Sequence, residues 1–333
     1  MTFRSTVLIA MSLVAACGGG DGSGGPGSQD GGDGDGGGGG AADAGAPDAV
    51  QPFVCPVFAA PATTGTVTSD GAVEISGLTA SVAHPGVLWG HTDAAGAARL
   101  FAFATDGRAL AVAAIDADVE DFEDVVRAGG PDPGREYLYL ADVGDNDLQR
   151  DEVAVLRIEE PAVSLDDDGD EIDVTEVDAF TLTYDDGGPH DAEAIAIEPG
   201  TGDLYVITKR NMDDPATLVF RAAGVAGAAG GSLTLARVLS ETESPALAGR
   251  VVTAGLSPDG ALLMVGVKEQ AFRIWPRSGT IAESLTGAPC VAPTVEDEQV
   301  EGAAFAADGD GYYIVPEGED PPVYQVVTAT RGP

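Results

Sequence analysis

The chain has 333 residues, with 55 Asp and Glu residues against 16 Lys and Arg residues and a formal net charge of −39 at pH 7. Such acidity repels phosphate groups, which excludes nucleic-acid binding and docking to anionic lipid through a basic patch. Hydrophobic residues make up 44% of the chain, enough to bury a core.

The first element along the chain is an export signal over residues 1–16. Arg4 precedes an apolar stretch, VLIAMSLVAA at its centre, which is shorter than the ~20 residues that cross a bilayer. The ending Ala15-Ala16-Cys17 resembles the bacterial lipobox. That resemblance implies cleavage before Cys17 and a diacylglycerol on its sulfur, and Gly18 favours the outer membrane. An ordinary signal peptide with a chance cysteine is the alternative.

Residues 17–52 form a linker between this cysteine and the folded part. Gly accounts for 16 and Asp for six of residues 18–52, with no Lys, Arg or large apolar run. Such a segment cannot bury enough surface to offset its ordering entropy, so we predict a disordered tether reaching roughly 30–35 Å.

A repeated pattern fills the folded part, residues 53–333. Copies start at Glu123, Glu193 and Glu301, with weaker copies at Ser76 and Ala254, and each holds two apolar runs around a short turn and then a third. A period near 50 residues with about four strands per unit predicts an all-β fold, a single β-propeller. We predict five four-stranded blades, or six if the 70-residue interval after Glu123 hides a degenerate blade.

The last repeat ends with three strands, so residues 54–67 are predicted to supply its fourth strand and close the ring. Beyond Cys17 the chain has two cysteines, Cys55 in this closing segment and Cys290 between the fourth and fifth repeats. Export permits a disulfide, which would lock the ring shut. Two unrelated buried thiols are the alternative.

Several motifs are similar to those of known propellers. EGAAFAADG with YYIVPEG, and DAEAIAIEPGTGDLYVITKR, resemble bacterial secreted propellers of the phytase-like and gluconolactonase-like kind, while SGLTASVAHPGVLWGHTD and YLYLADVGDN resemble a group of uncharacterised extracellular propellers. The resemblance runs from about Gly71 to Val327 and implies the fold. Propellers host enzymes and pure binding modules, so the fold does not imply an activity.

Candidate site residues follow from the repeat, because the start of each inner strand meets the end of the next strand around the axis. Clustered carboxylates there suit calcium, which takes 6–8 oxygen ligands, and the gluconolactonase-like resemblance implies one axial divalent metal. The predicted metal ligands are Glu123, Glu193, Glu301, Asp145 and Asn146. The predicted ligand-binding face comprises His91, Asp93, Asp142, His190, Asp191, Lys209, Arg210, Lys268 and Glu317.

Three interpretations of the axial glutamates stay open. They clamp the backbone amides of neighbouring blades or pair with Lys209, Arg210 and Lys268; they bind a metal; or they act as catalytic acid or base. The acidic run that ends at Asp121 is either exposed or extends the site.

The functional prediction is a lipid-anchored, extracytoplasmic binding or scaffold module with a calcium-binding axial face. Its partner is an unknown protein or small molecule, its contact with the membrane is through the lipid alone, and it is a monomer. A metal-dependent hydrolase of lactones or phosphoesters at the same site is the alternative, with no catalytic residue assigned. A purely structural envelope protein is a third possibility.

Overall fold

The computed structural model describes residues 53–330, apart from Ala94, Glu269 and residues 296–298. The predicted signal peptide, Cys17 and the linker to residue 52 lie outside the described residues. Within the described part, none of the helices has the length and apolar character needed to cross a membrane.

The regular secondary structure of the described residues is almost entirely β-strand, and the strands form successive, mainly antiparallel sheets. Strands β1 (Val57–Phe58) and β2 (Ala62–Thr66) come first and pair with strands near the end of the chain. Sheet 1 contains β3 (Ile75–Ala80), β4 (Val87–Thr92), β5 (Gly96–Ala104) and β6 (Ala109–Val119). Sheet 2 contains β7 (Phe122–Gly129), β8 (Glu136–Asp142), β9 (Val153–Glu159) and β11 (Asp178–Tyr184). Strand β10 (Asp170–Val174), which lies between β9 and β11 in the sequence, pairs with β6 of sheet 1 instead.

The later sheets repeat this order. Sheet 3 contains β12 (Ala192–Ile197), β13 (Leu204–Thr208), β14 (Leu218–Ala222) and β15 (Gly231–Ser240). Sheet 4 contains β16 (Val251–Leu256), β17 (Leu262–Val267), β18 (Phe272–Pro276), a short helix α1 (Ile281–Leu285) and β19 (Cys290–Ala292). Sheet 5 contains β20 (Val300–Phe305), β21 (Tyr312–Pro316) and β22 (Pro322–Val326), with β2 as its outermost strand; β23 (Thr328–Thr330) pairs with β1.

The innermost strands of the five sheets pack against one another in chain order, and β20 packs back onto β3. A separate hydrophobic cluster fills the space between each two successive sheets. Inner strands such as β12, with the sequence AEAIAI, are buried at every position because both of their faces are covered. Outer strand β11 instead alternates between buried and half-buried residues. This arrangement is a β-propeller, as the sequence pattern predicts.

The long interval after Glu123 is explained by β10. This strand pairs in parallel with β6 and extends sheet 1 to five strands. Sheets 2 and 3 are also joined edge to edge, because β11 and β15 pair in parallel. The extra residues of this interval therefore form an additional outer strand of sheet 1 and do not form a sixth sheet of their own.

Two local expectations need correction. Helix α1 was not predicted, although Thr280 and Glu283 form a capping box at its start.

The start of the fourth repeat is two residues earlier than the sequence alignment placed it, because Val252 occupies the position equivalent to Glu123 and Ala254 is equivalent to Val125. The apolar pair Val251-Val252 conceals this start in the sequence.

Cys55 and Cys290 form a disulfide, with their Cα atoms 5.6 Å apart. It links the segment before β1 to the outermost strand of sheet 4. The sequence prediction of this pair is confirmed.

Removing the disulfide should destabilise the domain without unfolding it. Because the bond closes a loop of 235 residues, we expect the Cys55→Ala, Cys290→Ala variant to lose about 2–4 kcal/mol of unfolding free energy. Urea denaturation of the two proteins measures this difference. An unchanged midpoint would show that β1–β23 and β2–β22 pairing alone holds the N-terminal segment.

Candidate functional site

The same register recurs at one end of every sheet and defines what we call the axial face. The first residue of each inner strand pairs with the last residue of the second strand, as in Phe122 with Asp142 and Ala192 with Thr208. Directly after that pair each inner strand has a β-bulge. Bulges turn a side chain out of the regular pleat. The bulge positions include the three predicted glutamates and are Ser76, Glu123, Glu193, Val252 and Glu301.

Three carboxylates on this face form what we call the acidic triad. Asp93 follows β4, Asp121 precedes β7, and Glu123 occupies the bulge of β7. One carboxylate oxygen from each lies within 4.8 Å of the other two. Asp93 is exposed, Asp121 half-buried and Glu123 buried, so the triad runs from the surface inward. Asp121 therefore extends the site, one of the two alternatives for that acidic run.

Burial and mutual repulsion raise the pKa values of the triad. Burial, followed by the charges of Asp93 and Asp191, raises the pKa of Asp121 to about 6. Burial and the neighbouring Asp121 and Asp93 raise the pKa of Glu123 well above its usual range. Burial also raises the pKa of Asp93. Ionised carboxylates this close are costly unless a proton or a cation neutralises them.

A glycine packs directly against the triad. A Cβ atom at Gly144 would come within 3.0 Å of Asp121 Oδ2 and Glu123 Oε1. The amide N–H of Gly144 also donates to the carbonyl oxygen of Asp121, over 3.2 Å. The turn that follows β8 is therefore shaped around these two carboxylates.

The other two predicted glutamates pair with lysines. Glu193 forms an ion pair with Lys209, and Glu301 Oε1 accepts a hydrogen bond of 2.6 Å from Lys268 Nζ. These are the two lysines of the whole chain. Their side chains are 15% and 14% exposed. Of the alternatives for the glutamates, the structure places Glu193 and Glu301 in ion pairs and Glu123 in the triad.

Glu317 joins Glu301 on the sheet 5 side of the face. Burial opposes ionisation of Glu301, but hydrogen bonding with Glu317 and the charges of Lys268 and Lys209 hold its pKa below the usual value. Burial and the adjacent Glu301 raise the pKa of Glu317 to about 7. The hydroxyl of Ser76 donates weakly to Glu301 Oε2, over 3.5 Å.

Two buried carboxylate oxygens near the triad lack a hydrogen-bond donor within the described residues. They are Glu193 Oε2 and Asp191 Oδ2, on residues that are 3% and 0% exposed. The second oxygen of Asp191 accepts from the amide N–H of Asp145, over 3.1 Å. Buried polar atoms are normally paired, so each of these two oxygens can accept a donor or bind a cation.

His91 lies beneath this face as a neutral ring. It is fully buried and stacks on Phe122, with ring centroids 3.6 Å apart. Burial lowers its pKa to about 4, and its Nδ1 lies 3.1 Å from the carbonyl oxygen of Thr92, so Nδ1 carries the donating proton. Its position explains Gly77, where a Cβ would collide with the imidazole.

Asp142 ends β8, and Asp145 and Asn146 lie in the turn that follows it. Asp142 Oδ1 accepts from the amides of Glu120 and Asp121 and from Arg150 Nη1. The two carboxylate oxygens of Asp145 accept from the amides of Gln149 and Arg150, both over 2.8 Å. Asn146 is exposed at the tip of the turn. Asp142 and Asp145 thus organise the loop that frames the triad.

His190 and Arg210 have partners of their own. His190 Nδ1 lies 2.7 Å from Asp214 Oδ2, and its Nε2 lies 3.1 Å from Asp186 Oδ2. Arg210 pairs with Glu241 over 3.6 Å and is 45% exposed. These contacts fix the loops that flank β12 and β13.

Asp124, which the sequence reasoning missed, clamps three inner strands together. Its carboxylate accepts the amides of Val125 at 2.9 Å and Ile195 at 3.0 Å, and also that of Ala254. These amides occupy equivalent positions in sheets 2, 3 and 4. Asp124 is fully buried, and burial raises its pKa to about 8 despite these donors. The clamp expected of the glutamates is made by this neighbouring aspartate.

No family model matches the chain, and no curated protein matches it significantly. Among solved structures, the WD40 repeats of RRP9 are similar at 10% sequence identity, with 81% of this chain and 100% of that chain covered and a TM-score of 0.40. The fold assignment rests on the sheet order and registers described above.

Proposed function

We propose that the protein is a lipid-anchored, extracytoplasmic binding module whose axial face holds a calcium ion on the acidic triad. The observation that carries the calcium site is the approach of three carboxylate oxygens, all within 4.8 Å of one another. A calcium ion binds oxygen ligands at about 2.3–2.6 Å, so one ion can touch all three. The unpartnered oxygen of Glu193 and the raised pKa values of the triad support this proposal, because both favour a positive charge at the axial face.

The proposed ligand set is narrower than the one predicted from the sequence. Glu123 is kept, Asp93 and Asp121 are added, and Glu193 and Glu301 act as lysine-paired neighbours. Asp145 accepts backbone amides within the loop after β8 and so stabilises the loop that frames the triad. An all-oxygen, carboxylate-rich set suits calcium better than zinc or copper, which prefer nitrogen and sulfur ligands.

The architecture proposed for this module is a monomeric ring of five blades closed by the N-terminal segment. The pairing of β2 with β22 and the packing of β20 on β3 support it. Lipidation of Cys17 would anchor the domain to the outer membrane through the linker of residues 17–52. Residues 53–333 carry −34 of the net charge, so attachment through lipid alone fits the repulsion from anionic headgroups.

Calcium titration by calorimetry, with thermal melting in calcium and in chelator, tests the calcium site. We expect one ion bound per protein and a higher melting temperature with calcium, because a ligand that binds only the folded state stabilises it. No heat and identical melting curves would reject calcium at this face. A globomycin-sensitive mobility shift that Cys17→Ser abolishes tests the anchor separately.

Gly144 offers a test of the triad's shape that leaves every charge in place. We expect Gly144→Ala to weaken calcium binding about tenfold, because the new methyl group displaces Asp121 and Glu123. Gly129→Ala is the matched control, since a Cβ there meets nothing within 4 Å. Equal calcium affinities in the two variants would place the ion away from the triad.

A further inference from the structure

Three segments that meet in the fold carry no charged residue. Charged residues make up 21% of the chain, yet residues 53–69, 284–295 and 321–330 contain none. Pairing of β1 with β23 and of β2 with β22 joins the first segment to the third. The disulfide between Cys55 and Cys290 joins the first segment to the second. We call the exposed part of these three segments the neutral surface.

The neutral surface also holds most of the exposed large apolar side chains. Of eight such side chains within the described residues, five belong to it. Their exposed fractions run from 39% to 76%, and they are Phe53, Val54, Val57, Val291 and Val327. The disulfide brings the second and fourth of them together, since each adjoins one of its cysteines. A single exposed apolar residue is ordinary, whereas a group of them marks a contact surface.

The position of this surface along the chain identifies a lipid bilayer as its occupant. Phe53 directly follows the linker of residues 17–52, whose proposed anchor is the lipid on Cys17. A flexible linker of this length reaches roughly 30–35 Å. The anchor therefore keeps the domain close to the membrane, and a weak apolar contact is enough to hold one face against it.

The charge distribution favours the same occupant. With a net charge of −34 on residues 53–333, repulsion from anionic headgroups disfavours the approach of the acidic faces. The neutral surface adds nothing to that repulsion. The residue paired with Val291 across sheet 4 is Arg273, a cation, which suits a surface that faces lipid phosphates.

We infer that the neutral surface contacts the bilayer, with Phe53, Val54 and Val291 inserting among the headgroups. This inference rests on the proposed lipid anchor and goes beyond attachment through the lipid alone, because it adds a protein contact that orients the domain. The neutral surface lies on β1, β23 and the outermost strands β2 and β19. The axial face is formed by the innermost strands, so it is not part of this contact.

Tryptophan fluorescence of the lipidated full-length protein tests the contact. The protein is reconstituted into phosphatidylcholine vesicles with ordinary or brominated acyl chains and recovered by flotation, because bromine quenches a tryptophan that reaches the acyl region. Val291→Trp is the reporter, since Val291 is far from the linker in sequence and therefore reports on the folded domain. The natural tryptophans, Trp89 and Trp275, are fully buried and give a constant background.

We expect brominated lipid to lower the emission of the added tryptophan about twofold in Val291→Trp, because an interfacial apolar face lies at the boundary of the acyl chains. Met212→Trp is the control reporter. Met212 is 95% exposed in the loop after β13, outside the neutral surface, and its emission should be equal in the two lipids.

A charge added to the neutral surface should break the contact. Val54→Asp and Val57→Asp, made together in the reporter protein, change exposed side chains and should restore its emission in brominated lipid. Val73→Asp is the matched control, because Val73 is an exposed valine outside the neutral surface, and it should leave the quenching unchanged.

The outcomes separate this contact from the anchor. If the wild type does not float with the vesicles, the anchor fails and the contact fails with it. Flotation without quenching of Val291→Trp, or equal quenching of both reporters, overturns the contact and leaves the anchor standing. Sedimentation of Cys17→Ser without lipid tests a second copy as the occupant. A dimer that Val54→Asp with Val57→Asp dissociates would overturn the inference, and a monomer agrees with it.

Discussion

Replacing Asp124 by alanine should remove about 5 kcal/mol of unfolding free energy, the largest effect expected of any single substitution considered. The change leaves the amides of Val125, Ile195 and Ala254 without their acceptor in a fully buried place. Each unsatisfied buried donor costs about 1–3 kcal/mol. Since domains are stable by about 5–15 kcal/mol, Asp124→Ala approaches the total. Urea denaturation measures the loss.

Two comparison variants make this result interpretable. Asp168→Ala removes an exposed carboxylate and should change stability by less than about 0.5 kcal/mol. Asp124→Asn keeps one acceptor oxygen and should retain part of the stability. If Asp124→Ala denatures at the same urea concentration as the wild type, the three amides have other acceptors, and Asp124 does not hold the three inner strands together.

The pH dependence of stability provides a second measure of Asp124. Its pKa is raised to about 8 in the folded protein, against about 3.9 in an unfolded chain. Between these two values the folded state holds a proton that the unfolded state has released, so the free energy of unfolding falls as the pH rises across this range and is highest below about pH 4. The contribution disappears as the pH rises through 8. The stability of the wild type relative to Asp124→Asn should fall from pH 4 to pH 8, and a flat difference would contradict the shift.

The repeat pattern predicted the axial positions because strand period and turn chemistry are local. Glu123, Glu193 and Glu301 start equivalent strands, and the structure places all three at equivalent bulges. The sequence named Lys209 and Lys268 as candidate partners, but the partners of Glu301 and Glu123 depend on packing between sheets, since Lys268 comes from sheet 4 and Asp93 from sheet 1. Nothing in a single sequence distinguishes Glu123, which meets carboxylates, from Glu193, which meets Lys209.

Asp124 illustrates why the clamp was missed. In a regular strand, neighbouring side chains point to opposite faces, so the residue after Glu123 is expected to face away from the site. The bulge between Phe122 and Asp124 breaks this alternation. Asp145 is a different case, because an Asp-Asn pair after a strand suggests a ligand loop, and in the structure its carboxylate accepts the amides of its own turn.

Calcium affinity should respond in opposite directions to two substitutions on the axial face. Glu123→Gln removes one of the three triad charges and should weaken calcium binding about 100-fold. Lys209→Met removes a positive charge that acts on Glu123 and Asp93 and should strengthen binding about tenfold. Calorimetric titration of each variant at fixed pH and ionic strength measures both changes.

The opposite signs distinguish a metal site from a purely structural cluster. If the carboxylates only neutralise the lysines, Lys209→Met leaves Glu193 buried and unpaired and lowers stability without creating a calcium response. If the triad holds calcium, the same variant is less stable in chelator and regains more stability on calcium addition than the wild type does. Melting curves at several calcium concentrations separate the two cases, with Arg210→Met as the control for loss of a nearby positive charge.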